Sequence, residues 1–172
     1  MARILVVDDD LGMRDLLEIM LTQEDYEVAC CGDPDKALQR VQKEQFDLVI
    51  TDLKMPKMDG IEFLKQVKEV KPETQVILIT AFASGNTALS AMKEGAYDYI
   101  EKNFDIDELK RIVHEAMEKK GIKRQEAQFI KDLADDVAFG GMIGKSREML
   151  KVYGTIKKVS EMPANILILG ES

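Results

Sequence analysis

Three consecutive carboxylates, Asp8-Asp9-Asp10, stand directly after the apolar run Ile4-Leu5-Val6-Val7, and a fourth, Asp52, follows Leu48-Val49-Ile50 with one residue between. If those runs are neighbouring strands of a parallel sheet, their carboxyl ends bring the acids into one cleft. Like charges that close force a raised pKa on at least one group unless a cation joins them. One or two carboxylates, a carbonyl and waters suit Mg2+, a hard cation that keeps part of its water shell. Such a metal also holds phosphate oxygens, which leaves a remaining carboxylate free as nucleophile. Thr80 and Lys102 end two further apolar runs and should reach the same rim. A lysine there either forms a plain salt bridge or grips a phosphoryl oxygen as a point charge, with the Thr80 hydroxyl on another oxygen. Asp10 reads instead as a cap on the positive end of the following helix.

The elements that must hold these groups alternate regularly. Ile4 to Val7, Tyr26 to Cys30, Leu48 to Ile50, Val76 to Ile79 and Tyr97 to Ile100 are short runs, apolar on both faces and rich in β-branched residues. That is the pattern of parallel strands buried on both sides. Between them, segments such as Met13-Leu16-Leu17-Met20-Leu21 carry apolar residues three and four apart, as a helix covering a sheet does. Asp33-Pro34 opens the second helix as an N-cap followed by proline at the first helical position. The fifth helix begins near Asp105, with Ile106, Leu109, Ile112, Val113, Ala116 and Met117 as its stripe. Five such units predict an α/β fold, a doubly wound five-stranded parallel sheet with helices on both faces. Periodicity does not encode strand order. The usual five-stranded, flavodoxin-like order 2-1-3-4-5 puts the ligand crevice between strands 1 and 3, where Asp8, Asp9 and Asp52 emerge.

Composition narrows the classes. With 45% hydrophobic and 33% charged residues the chain has the makings of a packed core, which excludes wholesale disorder. A net charge of −8 disfavours bulk nucleic-acid binding. No apolar run approaches the roughly 18 residues of a membrane span, and no signal-peptide core follows Met1, so no membrane is implied. Cys30 and Cys31 are adjacent and form neither a disulfide framework nor a metal spacing, which suits a reducing, cytoplasmic setting. On a strand they should give one buried and one exposed thiol. His114, the only histidine, has no partner set by spacing and reads as structural.

The charge is uneven. Residues 1–120 carry 16 basic and 25 acidic side chains, whereas 121–172 carry 8 and 7. That step predicts two units. After Met117 the helical pattern continues, and steps of three and four from Leu109 reach Val113, Ala116, Lys120, Lys123, Ala127, Ile130, Ala134 and Val137. The run is coiled-coil-like and suits a dimerising linker helix over 121–138, weakened in the middle by two lysines and Gly121. Gly140-Gly141 stops it. Gly140 to Ser146 imitates a phosphate-binding loop but is one residue short between its first glycine and Gly144-Lys145, and no buried strand precedes it. A helix from Ser146 to Ser160 and a strand from Ile166 to Leu169 follow, the strand running into Gly170-Glu171-Ser172.

Taken in order, Asp8-Asp9 after ILVV, Asp52 in TDLKMPKMDG, Thr80 in LITAFA, and Tyr99 with Lys102 in GAYDYIEK resemble the receiver domain of two-component response regulators. The resemblance spans residues 1–120. It implies that Asp52 is the phosphoacceptor, that Asp9 and Asp52 bind Mg2+ directly, that Asp8 does so through water, and that Lys54 supplies a backbone carbonyl. It makes Lys102 and Thr80 the groups that meet the phosphoryl oxygens, and Thr80 with Tyr99 the switch pair. Asn103 departs from the proline usual after the strand-5 lysine. A cis bond before a non-proline costs ~2.5–4 kcal/mol, which favours a trans Lys102–Asn103 peptide and an altered loop. Residues 139–172 are similar to the opening of the AAA+ ATPase domain of NtrC-type activators, with Gly170, Glu171 and Ser172 beginning a Walker A loop. The chain then reads as receiver, linker and ATPase fragment of a sigma-54-dependent activator, with wording near EKNFD similar to pilus-gene regulators.

The implied partners are a sensor histidine kinase, a second copy in a homodimer, and, in the full-length protein, sigma-54 RNA polymerase and DNA. The dimer has two routes, the linker helices, expected in the unphosphorylated state, or the face of helix 4, strand 5 and helix 5. Two other readings stand beside this one. A Mg2+-dependent phosphohydrolase of haloacid-dehalogenase type places nucleophile and acid two apart after strand 1, as Asp8 and Asp10 stand, but Gly12 occupies the position where that pattern has threonine or valine. A constitutive dimerisation module with a vestigial pocket is the third.

Overall fold

A computed structural model describes residues 2–81, 84–135, 146–160 and 167 of the 172. The chain divides into two units, Met1–Lys120 and Gly121–Ser172. In the first, β1 (Arg3–Val7), β2 (Glu27–Cys31), β3 (Leu48–Asp52), β4 (Gln75–Thr80) and β5 (Asp98–Glu101) alternate with α1 (Leu11–Gln23), α2 (Pro34–Lys43), α3 (Gly60–Val70), α4 (Gly85–Lys93) and α5 (Ile106–Asp135). The strands are all parallel, in the order β2-β1-β3-β4-β5. Ile4 lies opposite Leu48, and Ile50 opposite Ile77. The expected architecture and strand order are both present.

The alternation of side chains along each strand splits the core in two. Leu5, Val7, Val49, Val76 and Leu78 pack against Ala37 and Val41 of α2, Phe63, Leu64 and Val67 of α3, and Ala91 of α4. Ile4, Val6, Leu48, Ile50, Ile77 and Ile79 pack against Leu17, Met20 and Leu21 of α1 and Leu109, Ile112, Val113 and Ala116 of α5. Burying each of the Val, Leu, Ile, Met and Phe side chains contributes roughly 1.5–3 kcal/mol, which holds the helices on the two faces of the sheet. Helix starts are set locally. Asp10 caps α1 by accepting from the Gly12 and Met13 N–H groups, and Asp33 caps α2 through those of Asp35 and Lys36.

Four details differ from the sequence reading. β2 and β5 each run one residue later than the apolar runs, because backbone pairing continues one residue past them, Val7 facing Cys31 and Thr80 facing Glu101. Leu16 is 41% exposed, since the α1 stripe that meets the sheet is Leu17, Met20 and Leu21. Both thiols are half-buried, not one in and one out, because β2 is an edge strand whose two faces are each partly covered. Leu109, Val113 and Ala116, the first positions of the expected dimer seam, are buried under the sheet of their own unit. The next, Lys120, bonds Asp47 Oδ1 at 2.8 Å and the Phe46 carbonyl at 3.3 Å. His114 is exposed, with its Nε2 3.6 Å from Glu118 on the same helix.

No peptide bond among the described residues is cis, Lys102–Asn103 included. No helix among them is long and apolar enough to cross a membrane. The second unit holds the end of α5 and α6 (Arg147–Ser160), whose first turn is met by Ser146 Oγ accepting from the Met149 N–H at 3.1 Å. Residues 136–145, the strand expected at 166–169 apart from Leu167, and Gly170, Glu171 and Ser172 lie outside the described residues.

Candidate functional site

β1 and β3 are adjacent in the sheet, so their carboxyl ends deliver Asp8, Asp9 and Asp52 to one place. One carboxylate oxygen from each lies within 4.8 Å of those of the other two. Asp8 and Asp52 are 2% and 7% exposed, whereas Asp9 is open to solvent. β5 ends at the same rim and places the Lys102 ammonium between the two buried acids, 2.8 Å from Asp8 Oδ2 and 2.7 Å from Asp52 Oδ2. Backbone amides serve the other two oxygens. Asp8 Oδ1 accepts from the Asp10 N–H at 2.9 Å, and Asp52 Oδ1 from the Lys54 N–H at 3.3 Å.

The electrostatics follow from burial. Desolvation pushes the Asp8 carboxyl above its ordinary range, more than the hydrogen bond and charge of Lys102 lower it. For Lys102, burial lowers the ammonium pKa, but the hydrogen bonds to Asp52 and Asp8 outweigh it and hold the group above its usual value. The lysine is therefore charged at neutral pH and is the local counter-ion of the two buried acids. A set made of carboxylate oxygens, one member of it exposed and all within reach of a single ion, fits Mg2+ and the site's residues can hold it.

Thr80 ends β4, is 1% exposed, and accepts the Lys102 N–H on its backbone carbonyl at 2.7 Å. Tyr99 is not gathered with the acids. Its ring packs with the α2–α3–α4 side of the core, and its hydroxyl shares a 2.9 Å hydrogen bond with Thr87 Oγ1 on α4. Thr87 in turn bonds the Ser84 carbonyl at 2.9 Å. Asp10 is separated from the cluster in function: its Oδ1 accepts from Gly12 at 2.7 Å and Met13 at 3.3 Å. The Asp-x-Asp pair of a phosphohydrolase would need that carboxyl over the site.

The loop from β3 to α3 is held at both ends. Asp59 caps α3, accepting from Ile61 at 2.9 Å and Glu62 at 2.8 Å, and the Gly60 N–H donates to the Leu53 carbonyl at 2.7 Å. Lys57 adopts a left-handed backbone (φ 77°) and pairs with Asp33 Oδ2 at 2.6 Å, which ties this loop to the cap of α2. Sequence reasoning had no sign of Thr87 or of this tie, because neither partner is near the other in the chain. Asp33 carried one usable signal, its position as a cap.

Known proteins resemble this chain over much of its length. The chain is 34% identical over 170 residues to the regulatory protein AtoC of Escherichia coli K12, covering 99% of this chain and 37% of AtoC. It is 37% identical over 175 residues to the transcriptional regulatory protein ZraR of Klebsiella oxytoca, covering 98% of this chain and 37% of ZraR. The chain thus spans little more than a third of the length of these relatives. Among solved structures, the beryllofluoride-activated NtrC4 receiver domain dimer superposes with a TM-score of 0.68 at 32% identity, over 70% of this chain and 99% of that one. Residues 4–114 match the response regulator receiver domain, and with the acids, lysine and threonine at the ends of β1, β3, β4 and β5, the chain belongs to that family.

Proposed function

We propose that this chain receives a phosphoryl group on Asp52 from a phosphohistidine of a sensor histidine kinase, and that the modified form changes its self-association. The observation that carries the reading is the Lys102 ammonium held by Asp8 and Asp52 beside the exposed Asp9. An Asp52 carboxylate oxygen attacks phosphorus, the P–N bond breaks, and its electron pair leaves with the imidazole. Lys102 loses a carboxylate oxygen as partner and gains a phosphoryl oxygen, so its charge is offset before and after transfer. Asp9 and Asp52 directly, Asp8 through water, and Lys54 through its carbonyl would hold Mg2+. When bound, the ion supplies positive charge that offsets the acids and the phosphoryl oxygens. Thr80 would offer its hydroxyl to the modified side chain.

Residues 1–120 form the receiver in this reading, 121–138 the linker helix and 139–172 the start of an AAA+ ATPase. In the whole protein, which acts in the cytoplasm, the switch controls transcription by sigma-54 RNA polymerase at DNA. The names of the relatives and the dimer formed by activated NtrC4 support that direction. Because Leu109, Val113 and Ala116 are buried in their own unit, a seam of that period is left only the positions beyond Lys120, and the face of α4, β5 and α5 is the other route to self-association.

The test is incubation with acetyl phosphate and Mg2+, read by intact mass. One added phosphoryl group per chain, absent in Asp52→Ala, is the expected result; an adduct that survives the substitution would overturn it. Multiple turnover on a small phosphate ester would favour a phosphohydrolase instead. An oligomeric state insensitive to beryllofluoride would leave only the constitutive dimer.

The Thr87–Tyr99 bond makes a second expectation. In this reading the Tyr99 ring moves when Asp52 is modified, and the bond favours its present position by about 1 kcal/mol, a usual net value for such a bond. Thr87→Val should therefore lower the beryllofluoride concentration needed for the oligomeric change by about fivefold. Unchanged half-saturation by sedimentation would show that Tyr99 is not held there.

A further inference from the structure

We infer that Arg14 is a positioning residue for the Asp8-Asp9 turn, and that Gly32 is the residue that makes room for it. The inference rests on the Mg2+ reading of the site. The ladder between β1 and β2 ends with Val7 facing Cys31, and the Asp8 N–H still donates to the Cys31 carbonyl at 3.2 Å. One step further a parallel ladder would bring an amide from residue 33 to the Asp8 carbonyl. The chain has by then left the sheet at Gly32, and Asp33 is the cap of α2.

Arg14 takes the place of that amide. It sits in the first turn of α1, where side chains lean back toward the helix N-terminus, and its Nη1 donates to the Asp8 carbonyl at 2.5 Å. That carbonyl belongs to the peptide joining Asp8 to Asp9. Holding it fixes the plane from which the exposed Asp9 carboxylate departs, while the Asp10 N–H holds Asp8 Oδ1 from the other side. Two acids that must meet one ion are thus oriented by a group that touches neither carboxylate. Outer partners of this kind set metal affinity by restricting where the ligands can point.

Gly32 gives independent support. A β-carbon there would stand 2.8 Å from Arg14 Nη1 and 3.2 Å from its Cζ. Nothing in the backbone opposes it. Alanine at this position would therefore push the guanidinium off the carbonyl and leave the fold in place. The two residues should act as one device, with the effect of Gly32 expressed only through Arg14.

The experiment is calorimetric titration of the 172-residue chain with Mg2+, alongside urea unfolding of the metal-free protein. Arg14→Ala is expected to weaken Mg2+ binding about tenfold, and Arg14→Lys, which offers one donor on a shorter reach, by less. Gly32→Ala should weaken it too, yet add nothing in the Arg14→Ala background. A merely structural arginine would lower the urea midpoint and leave the affinity of the folded chain as in wild type. Wild-type affinity in Arg14→Ala or Gly32→Ala, or equal losses from Gly32→Ala in both backgrounds, overturns the inference. A wild-type chain that takes up no Mg2+ overturns the reading of the site itself, and this inference with it.

Discussion

Replacing Lys102 with methionine is expected to destabilise the metal-free protein by about 3 kcal/mol and to slow phosphorylation of Asp52 by on the order of a hundredfold. The stability loss comes from what remains. Asp8 and Asp52 are almost fully buried, their oxygens lie within reach of one ion, and Lys102 is the ammonium that bridges them. Removing it leaves two carboxylates in low dielectric with no counter-charge between them, a costlier state than either the paired or the fully apolar one. The rate loss has a separate origin, the missing donor for charge on the transferred group. The two effects should part company in Mg2+: a cation in the cluster restores much of the stability but not the rate. Thermal unfolding with and without Mg2+, and acetyl phosphate labelling followed by mass, check both halves. Equal stability of wild type and Lys102→Met without Mg2+ would contradict the role of Lys102 as the counter-charge of the two acids.

Gly60→Ala should be the most damaging methyl addition in the receiver, at about 3 kcal/mol. Its β-carbon would overlap the Asp52 carbonyl oxygen and stand 2.8 Å from Leu53 Cα, both of them backbone atoms that no rotamer change can move aside. The amide of Gly60 donates to the Leu53 carbonyl at 2.7 Å, so α3 starts in direct contact with the end of β3. Relief requires moving Asp52 itself, which on the proposed function couples the stability loss to slower labelling. Gly121→Ala is the control. A β-carbon there meets nothing within 4 Å, the site is helical, and alanine should favour the helix by up to about 1 kcal/mol. Denaturant unfolding of the two variants should move in opposite directions, and a Gly60→Ala protein as stable as wild type would contradict the close approach.

How much could be read beforehand depends on how local each cause is. Val76 to Ile79 announced a strand because burial on both faces leaves an apolar run. Asp33-Pro34 announced a helix start because a cap acts two and three residues away. The acids and Lys102 were legible as candidates because each ends such a run. Leu16 and the cysteine pair were misjudged for the opposite reason: which side of a helix or edge strand is covered depends on neighbours that no pattern names. The coiled-coil steps from Leu109 began on residues that the sheet claims, Leu109, Val113 and Ala116.

The residue order of this protein determined by itself the number and kind of elements in the receiver and the set of side chains at the strand ends. These follow from backbone and hydration preferences that act within a few residues. Only the folded arrangement decided that β1 lies between β2 and β3, that Lys102 bridges Asp8 and Asp52, that Thr87 holds Tyr99, and that Arg14 reaches the Asp8 carbonyl past Gly32. Each of those joins groups from separate elements or turns of the chain, and a hydrogen bond or ion pair at that range exists only once packing has brought its two ends within about 3 Å.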